Sequence, residues 1–402
     1  MAKEKKLPLE NLLVIAANII MFAIVYFMLS ASEMVSLIII AAVIVGLLLA
    51  DKQGYINWLF ALFIRHKKVA FISAMLCIIA LPLLLATERY IAHIACMAVI
   101  YAMVCLGLNF QMGSTDMVNF APAAFMGIGA YTMAVFTVNM GVSPWLGFLS
   151  AIVFSCIAGI LIGLPTLRTK GYYLSLVTMA LQLAFTQLIK NIPYLGGPNG
   201  ISGVKSLNIG EFFFYKSYTV FGVKLAPQIP LLFLCLFILV LMVYIAMRVY
   251  VSRWGLSLNN IAQDEVAADC LGVNCNRQKL FAFVIGSIFC GIGGALYGGL
   301  ASFVGPTDFT FARSLIFICM VILGGMDNPI GTVVGALLLT VIMEKVRSFA
   351  DYGQIIYAVI LVTVLIVRPA GLVPKRVRDY CSLFKGKLQR SGKKNEAAAK
   401  TE

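Results

Sequence analysis

The chain has 402 residues, of which 61% are hydrophobic and 12% charged, with a formal net charge of +14 and a mean hydropathy of +0.96. A water-soluble protein of this length needs a larger charged surface, so the composition excludes an ordinary soluble domain. The apolar residues occur in blocks near the roughly 20 residues that a helix needs to cross a bilayer, and the sequence shows no alternating strands of the kind found in membrane β-barrels. We therefore predict an all-α, polytopic helical bundle in a membrane.

Twelve hydrophobic segments follow one another along the chain. Gly and Pro interrupt several of them, so we predict about ten to twelve membrane segments. The first follows a basic start, Lys3 to Lys6, but it is too long for the apolar region of a signal peptide and shows no clear cleavage site, so we interpret it as a span. The segments lie near residues 11–31, 34–50, 69–86, 90–108, 117–138, 144–164, 171–190, 229–250, 279–300, 313–324, 330–346 and 354–367.

The positions of Lys and Arg predict the orientation of these segments. Basic residues cluster at 65–68, 168–170, 248–279 and in the tail 376–402, and alternating the twelve segments places all of them on one side. Because basic loops stay in the cytoplasm, both termini are predicted to be cytoplasmic, in a bacterial inner (plasma) membrane. For the tail we expect contact with membrane lipid headgroups rather than with nucleic acid, and we predict it to be disordered.

A polar segment separates two of the apolar blocks on the predicted cytoplasmic side. Its sequence predicts one helix from about Ser257 to Cys270, which Gly272 terminates. A short helix that offers acids and small residues suits docking to another protein, and a solvated loop helix is the alternative. Cys270 and Cys275 have no nearby histidine, so we predict no metal site.

Several sequence motifs follow one another along the chain in the order typical of one family. They are Leu106–Asn109 followed by Asn119–Ala121, Leu167–Leu174, Gly196–Ile201, Asp264–Gly298, Leu323–Asn328 and Val367–Leu372. With these motifs the chain resembles the permease family of branched-chain amino-acid (Liv-type) ABC importers, of the LivM kind. The resemblance covers about 91–375, interpreted as the permease core. Residues 1–90 are N-terminal membrane segments that are less diagnostic.

The resemblance implies that the segment around Asp264–Gly272 is a cytoplasmic coupling helix that contacts an ATPase. The general permease signature places Glu-Ala-Ala six, five and four residues before a Gly, whereas here Val266-Ala267-Ala268 precede Gly272 and the acid is Glu265. Liv-type permeases resemble this shifted form, in which the acid stands one position earlier than in the general signature. The implied coupling residues are Asp264, Glu265, Ala267, Ala268 and Gly272.

The resemblance also implies a set of partners. A second permease subunit of the LivH type completes the pore, two ABC ATPase subunits drive it, and a periplasmic amino-acid-binding protein delivers substrate. The chain has no G-x-x-x-x-G-K-[ST] phosphate loop, so we expect it to bind no cofactor and to be no enzyme, with ATP and Mg on the ATPase subunits. ATP-driven closure is expected to move the coupling segment and switch the pore.

Polar residues near interruptions of the spans are candidates for the substrate pathway. Asn109, Gln111, Asp116 and Asn119 lie where one span ends and the next begins at Pro122, and broken helix ends can bind the charged groups of a zwitterion. Close helix packing is the alternative. Gly196, Gly197, Pro198 and Asn199 predict either an outer gate or docking surface, or an ordinary turn. Gly324 to Pro329 predict either an ATPase contact or a tight reversal.

Three other functions stay open at this point. The leading hypothesis is import of leucine, isoleucine and valine, and a urea or short-amide ABC importer is the closest alternative. An ion-coupled secondary carrier leaves the polar helix unexplained, and a scaffold without transport leaves the broken helices without a use. Charged residues such as Asp308, Arg313 and Glu344 fall near predicted helix ends, where we expect them to snorkel or pair at the interface, which argues against proton coupling.

Overall fold

Twelve α-helices account for most of the chain that the structure, a computed structural model, describes. The described residues are 2–31, 66–86, 88–166, 172–209, 212–217, 219–220, 223–347 and 371–373, with the isolated positions 35, 42, 46, 355, 358, 359, 362, 363 and 366. In this part of the chain the helices are α1 Ala2–Ser30, α2 Lys67–Leu84, α3 Arg89–Thr115, α4 Pro122–Ala134, α5 Pro144–Thr166, α6 Tyr172–Asn191, α7 Ile229–Tyr250, α8 Arg253–Gln263, α9 Glu265–Cys270, α10 Cys275–Ala301, α11 Phe311–Gly324 and α12 Pro329–Val346.

The helices confirm the predicted polytopic bundle. Within the described residues, seven helices are long and apolar enough to cross a membrane, in α1, α3, α5, α6, α7, α10 and α12. Shorter apolar helices lie at Met75–Leu84 and Phe311–Gly324, and α4 continues into a π-helical turn at Val135–Asn139. Ten of the twelve predicted segments coincide with these helices, and the other two, 34–50 and 354–367, lie outside the continuously described residues.

Strands are short and confined to connections. Six strands of two residues each form three antiparallel pairs in the described residues. The pair β1 (Ile201–Ser202) with β6 (Phe303–Val304) joins the long segment after α6 to the end of α10. The other pairs are β2 (Asn208–Ile209) with β3 (Phe212–Phe213) and β4 (Thr219–Val220) with β5 (Val223–Lys224).

The connections between helices lie on two sides of the bundle, as the contacts among them show. The alternating threading, in which successive segments cross the membrane in opposite directions, predicts such a division. On one side, β1 pairs with β6, the Asn139 amide donates to the carbonyl of Tyr194 (2.9 Å), and Ala226 N donates to the carbonyl of Ala86 (2.8 Å). On the other side, the start of α1 contacts the start of α2 and the connection between α11 and α12 contacts the end of α3. We call the first side the 194 side and the second the 264 side, because the latter also carries α8 and α9.

Helix α10 is the centre of the bundle, where α3, α4 and α5 pack around it. Glycines allow this close approach: a Cβ on Gly294 would overlap the carbonyl of Met126 in α4, and a Cβ on Gly107 would overlap the carbonyl of Gly286. Large side chains fill the remaining space, among them Phe110, Phe125, Phe283 and Phe317, all of which are buried. The stripe of small residues on α10 therefore serves helix packing.

Candidate functional site

The polar segment on the 264 side consists of two helices, so the prediction of one helix from Ser257 to Cys270 is wrong. Helix α8 begins at Arg253, and Asp264 separates it from α9 with an extended backbone (φ −157°, ψ 111°). The Asp264 side chain accepts hydrogen bonds from Val266 N (2.9 Å) and Ala267 N (3.1 Å). An N-cap residue needs non-helical torsions for this contact, which explains the interruption.

The other predicted coupling residues differ in their contacts and in their exposure. Glu265 pairs with Lys279 at the start of α10 (Oε2 to Nζ, 2.7 Å). Ala268 is buried and packs with Ile261 and Cys275 between α8, α9 and α10. Ala267 and Gly272 are exposed, and Gly272 has a left-handed backbone (φ +80°) that lets the chain leave α9.

Two large apolar side chains of this segment point away from the bundle. Val266 is 72% exposed and Leu271 77% exposed. They lie beside the exposed Ala267 and Cys270 at the tip formed by α9 and its C-terminal turn. Apolar side chains exposed together on an otherwise polar projection are typical of a protein-binding surface.

The inner face of α8 packs on the ends of three membrane helices. Leu258 is fully buried in a cluster with Met117, Leu174 and Ala282, which follow or belong to α3, α6 and α10. Trp254 packs on Phe281 with ring centroids 4.3 Å apart. A force applied to the tip of α9 would thus be transmitted to three helices at once.

Asn109 is fully buried on the 264 side, and its amide is bonded within the chain. Its Oδ1 accepts from Asp327 N (2.8 Å) and its Nδ2 donates to the hydroxyl of Tyr250 (3.2 Å). Ser114 donates to Asp327 Oδ1 (3.3 Å) from the same helix. These contacts connect α3 to the end of α7 and to the connection between α11 and α12, so that connection packs against the bundle as a tight reversal.

Asn119 belongs to a second buried amide pair. Its Nδ2 donates to Gln111 Oε1 (2.6 Å), and its Oδ1 accepts from Ala121 N (2.8 Å). Gln111 in turn donates to the carbonyl of Phe283 in α10 (3.0 Å). Asp116, in contrast, is exposed and ends α3 with a left-handed backbone (φ 53°).

The broken N-terminus of α4 is capped by four side chains, three of them from other helices. We expected free N–H groups there, but the structure supplies an acceptor for each N–H from Phe120 to Ala124, with Pro122 lacking one. The reason is that single polar residues inside otherwise apolar helices reach the N-terminus of α4. Such isolated polar residues can be recognised in the sequence at Gln182 and Ser314. The acceptors are Thr178 Oγ1 for Phe120, Asn119 Oδ1 for Ala121, Ser314 Oγ for Ala123 and Gln182 Oε1 for Ala124.

The predicted glycine-rich gate lies on the 194 side, apart from the two asparagines. Pro193–Leu195 and Gly197–Asn199 form two short 3-10 turns, with left-handed backbones at Gly196 (φ +82°) and Gly197 (φ +55°). Pro198 and Asn199 are exposed, whereas Gly197 is buried. The predicted pathway residues therefore mark two opposite ends of the bundle.

Other predictions fall on parts of the chain outside the described residues. Residues 167–171 of the Leu167–Leu174 motif, residues 367–370 of the C-terminal motif and the basic tail 376–402 belong to this group. Gly371 and Leu372 are described, and Leu372 N donates to the carbonyl of Leu323 (2.7 Å).

Comparison with known proteins identifies relatives over most of the chain. The family model for the branched-chain amino acid transport system permease component matches residues 90–367. The high-affinity branched-chain amino acid transport system permease protein LivM of Salmonella typhimurium is 33% identical over 321 residues, covering 77% of this chain and 75% of the relative. LivM of Escherichia coli is 31% identical over the same shares. LivH of Salmonella typhimurium is 25% identical, covering 68% of this chain and 91% of the relative. No solved structure matches the chain.

Proposed function

This chain belongs to the family of permease components of branched-chain amino acid transport systems, and on that basis we propose that it forms half of the pore of an ATP-driven importer of leucine, isoleucine and valine. The observation that carries the proposal is the α8–α9 segment, a polar projection with an apolar tip that packs on three membrane helices. A secondary carrier has no use for such a projection, whereas an ATPase-driven permease requires a contact through which a soluble partner moves its helices.

Two ABC ATPase subunits are the proposed partners on the 264 side, which we assign to the cytoplasm. Val266, Ala267 and Leu271 supply the apolar contact. Asp264 caps α9, and Glu265 holds it against α10 so that its movement reaches the membrane helices. ATP and Mg are bound by the ATPase subunits, and this chain is the transport subunit. The location is the bacterial inner membrane, with both termini in the cytoplasm.

The second half of the pore is proposed to be a distinct permease of the LivH type. The chain is similar to LivM proteins over a larger share of its length and at higher identity than to LivH proteins, which supports a pairing of one subunit of each kind. The 194 side, with the glycine turns at 196–199, is then the surface on which a periplasmic amino-acid-binding protein releases substrate.

Purification of the tagged chain in mild detergent, followed by uptake assays, tests this function. We expect a second permease and two P-loop ATPases to co-purify, and labelled leucine uptake by cells to require ATP hydrolysis and to be inhibited by valine. Inhibition by urea with no effect of valine would contradict the substrate class. Leucine transport by this chain alone in an ion gradient would contradict the ATP-driven mechanism.

A further inference from the structure

A charged and aromatic cluster lies at the start of α11, toward the 194 side, where the half-buried Arg313 and Asp308 adjoin buried aromatic side chains. Arg313 in the first turn of α11 donates from Nη1 to the hydroxyl of Tyr101 (2.7 Å), and its guanidinium lies 5.5 Å from the centre of that ring. Tyr101 is buried in the middle of α3. Asp308, in the short turn before α11, accepts from Gly305 N (3.2 Å).

The two opposite charges of this cluster are neighbours but not partners. Among the described residues, no ion pair joins Arg313 to Asp308 or to another acid. Yet they lie close together along the chain, because Asp308 belongs to the turn Pro306–Phe309 and Arg313 to the first turn of α11, which begins at Phe311. In a membrane interior, charged side chains ordinarily pair with each other or mark the path of a substrate.

The third observation is a buried hydroxyl in the same place. Tyr131 of α4 is 4% exposed, and its hydroxyl has no hydrogen-bond partner in the described part of the chain. Its ring packs on Phe309 at 5.9 Å, and Phe309 also contacts the ring of Tyr297 at 5.9 Å. A buried hydroxyl without a partner is unfavourable, so its retention calls for a role.

From these contacts we infer that the cluster binds the zwitterionic backbone of an α-amino acid on its way through the bundle. Arg313 binds the carboxylate with the donors that its bond to Tyr101 leaves, and Asp308 binds the ammonium group. The hydroxyl of Tyr131 adds a hydrogen bond, and the ring of Phe309 contacts the apolar side chain. The inference rests on the proposed function and adds a binding site to it. The site lies toward the side from which substrate would arrive.

Ligands that lack one charge test the assignment of each residue. The purified complex in nanodiscs is to be tested for binding of labelled L-leucine, with competition by leucinamide, which lacks the carboxylate, and by 4-methylpentanoate, which lacks the ammonium group. We expect Arg313→Gln to weaken leucine binding about 10- to 100-fold and to leave leucinamide binding unchanged. Asp308→Asn should weaken leucine binding to a similar degree and leave 4-methylpentanoate binding unchanged. Equal losses for all three ligands would contradict the inference.

Tyr131→Phe separates ligand binding from folding. Because the hydroxyl has no partner in the described part of the chain, its removal should not lower the melting temperature, yet leucine should bind about 10-fold more weakly. The controls on exposed positions are Arg347→Gln and Tyr194→Phe, which match the tested residue types, and Glu88→Gln, which removes an acid. All three should leave binding unchanged.

The outcomes distinguish this inference from the proposed function. If the wild-type complex transports leucine while leucine shows no binding to it, or while the three variants bind leucine normally, the site is wrong and the function stands. If the wild-type complex neither binds nor transports leucine, the proposed function fails and the inference fails with it.

Discussion

The two acids where α8 meets α9 act first on their own chain. Asp264 caps α9, and Glu265 joins that helix to α10 through Lys279. Both roles fix the position of the exposed tip relative to the membrane helices. A change of charge at either acid therefore alters the shape of the α8–α9 segment before it alters any contact with an ATPase.

Exchange of the Glu265–Lys279 charges separates these two effects. Glu265→Lys places two cations side by side, and we expect ATP-driven leucine uptake to fall about 5-fold, which corresponds to the loss of about 1 kcal/mol of pairing. The double variant Glu265→Lys with Lys279→Glu restores the pair and should restore most of the uptake. A double variant as defective as the single one would show that Glu265 contacts a partner directly. Co-purification of the ATPases is the accompanying measurement.

The roles of single polar residues were only partly predictable from the sequence. Asn109 and Asn119 were recognisable as polar residues at the end of a span, and Gln111, the partner of Asn119, belongs to the same predicted group. The partner of Asn109, however, is 141 residues away at Tyr250. Pairings at such distances depend on helix packing, which no local pattern specifies. Arg313 was assigned to the interface because it lies at a helix start, and the prediction missed that α11 begins beside the buried Tyr101.

Helix α10 shows which properties of an element follow from its own sequence and which do not. Its position was predictable because its apolar length suits a span, as for the other segments. Its glycines indicated close packing, but their individual partners depend on the neighbouring helices. The interruption at Asp264 was missed because an N-cap inside a continuous polar pattern resembles an ordinary helical Asp.

Two glycines of α10 give a matched pair for testing this packing. A Cβ on Gly294 would overlap the carbonyl of Met126, whereas a Cβ on Gly299 would make an ordinary contact with Ser206 Cα at 3.5 Å. Both glycines are buried in the same helix. We expect Gly294→Ala to destabilise the protein by about 1–3 kcal/mol, and Gly299→Ala to be neutral or stabilising because Ala favours the helix. The melting temperatures of the two variants in detergent measure these effects. Equal melting temperatures for Gly294→Ala and Gly299→Ala would contradict the close contact of α4 with α10.

At the scale of the whole molecule, the bundle has two chemically different ends. The 264 side carries the projection α8–α9 and the buried amides of Asn109 and Asn119, while the 194 side carries the glycine turns and the Arg313–Asp308 cluster. The alternating threading, which agrees with the placement of Lys and Arg, predicts that the α8–α9 segment and the glycine turns lie on opposite sides, because charge asymmetry is a property of the loops that needs no knowledge of packing. An importer that receives substrate at one end and ATPase movement at the other requires this polarity.

Labelling with a membrane-impermeant maleimide tests which end faces the cytoplasm. Asn199 is exposed on the 194 side, and the native Cys270 is exposed on the 264 side. In a Cys381→Ser background, which removes the cysteine of the basic tail, spheroplasts should label Asn199→Cys and leave the parent unlabelled. Inside-out vesicles prepared from cells without the ATPase subunits, which would otherwise cover the tip, should label the parent, and Cys270→Ser should abolish that labelling. The reverse pattern would place the α8–α9 segment outside the cell, where no ATPase could reach it, and would contradict the proposed mechanism as well as the orientation.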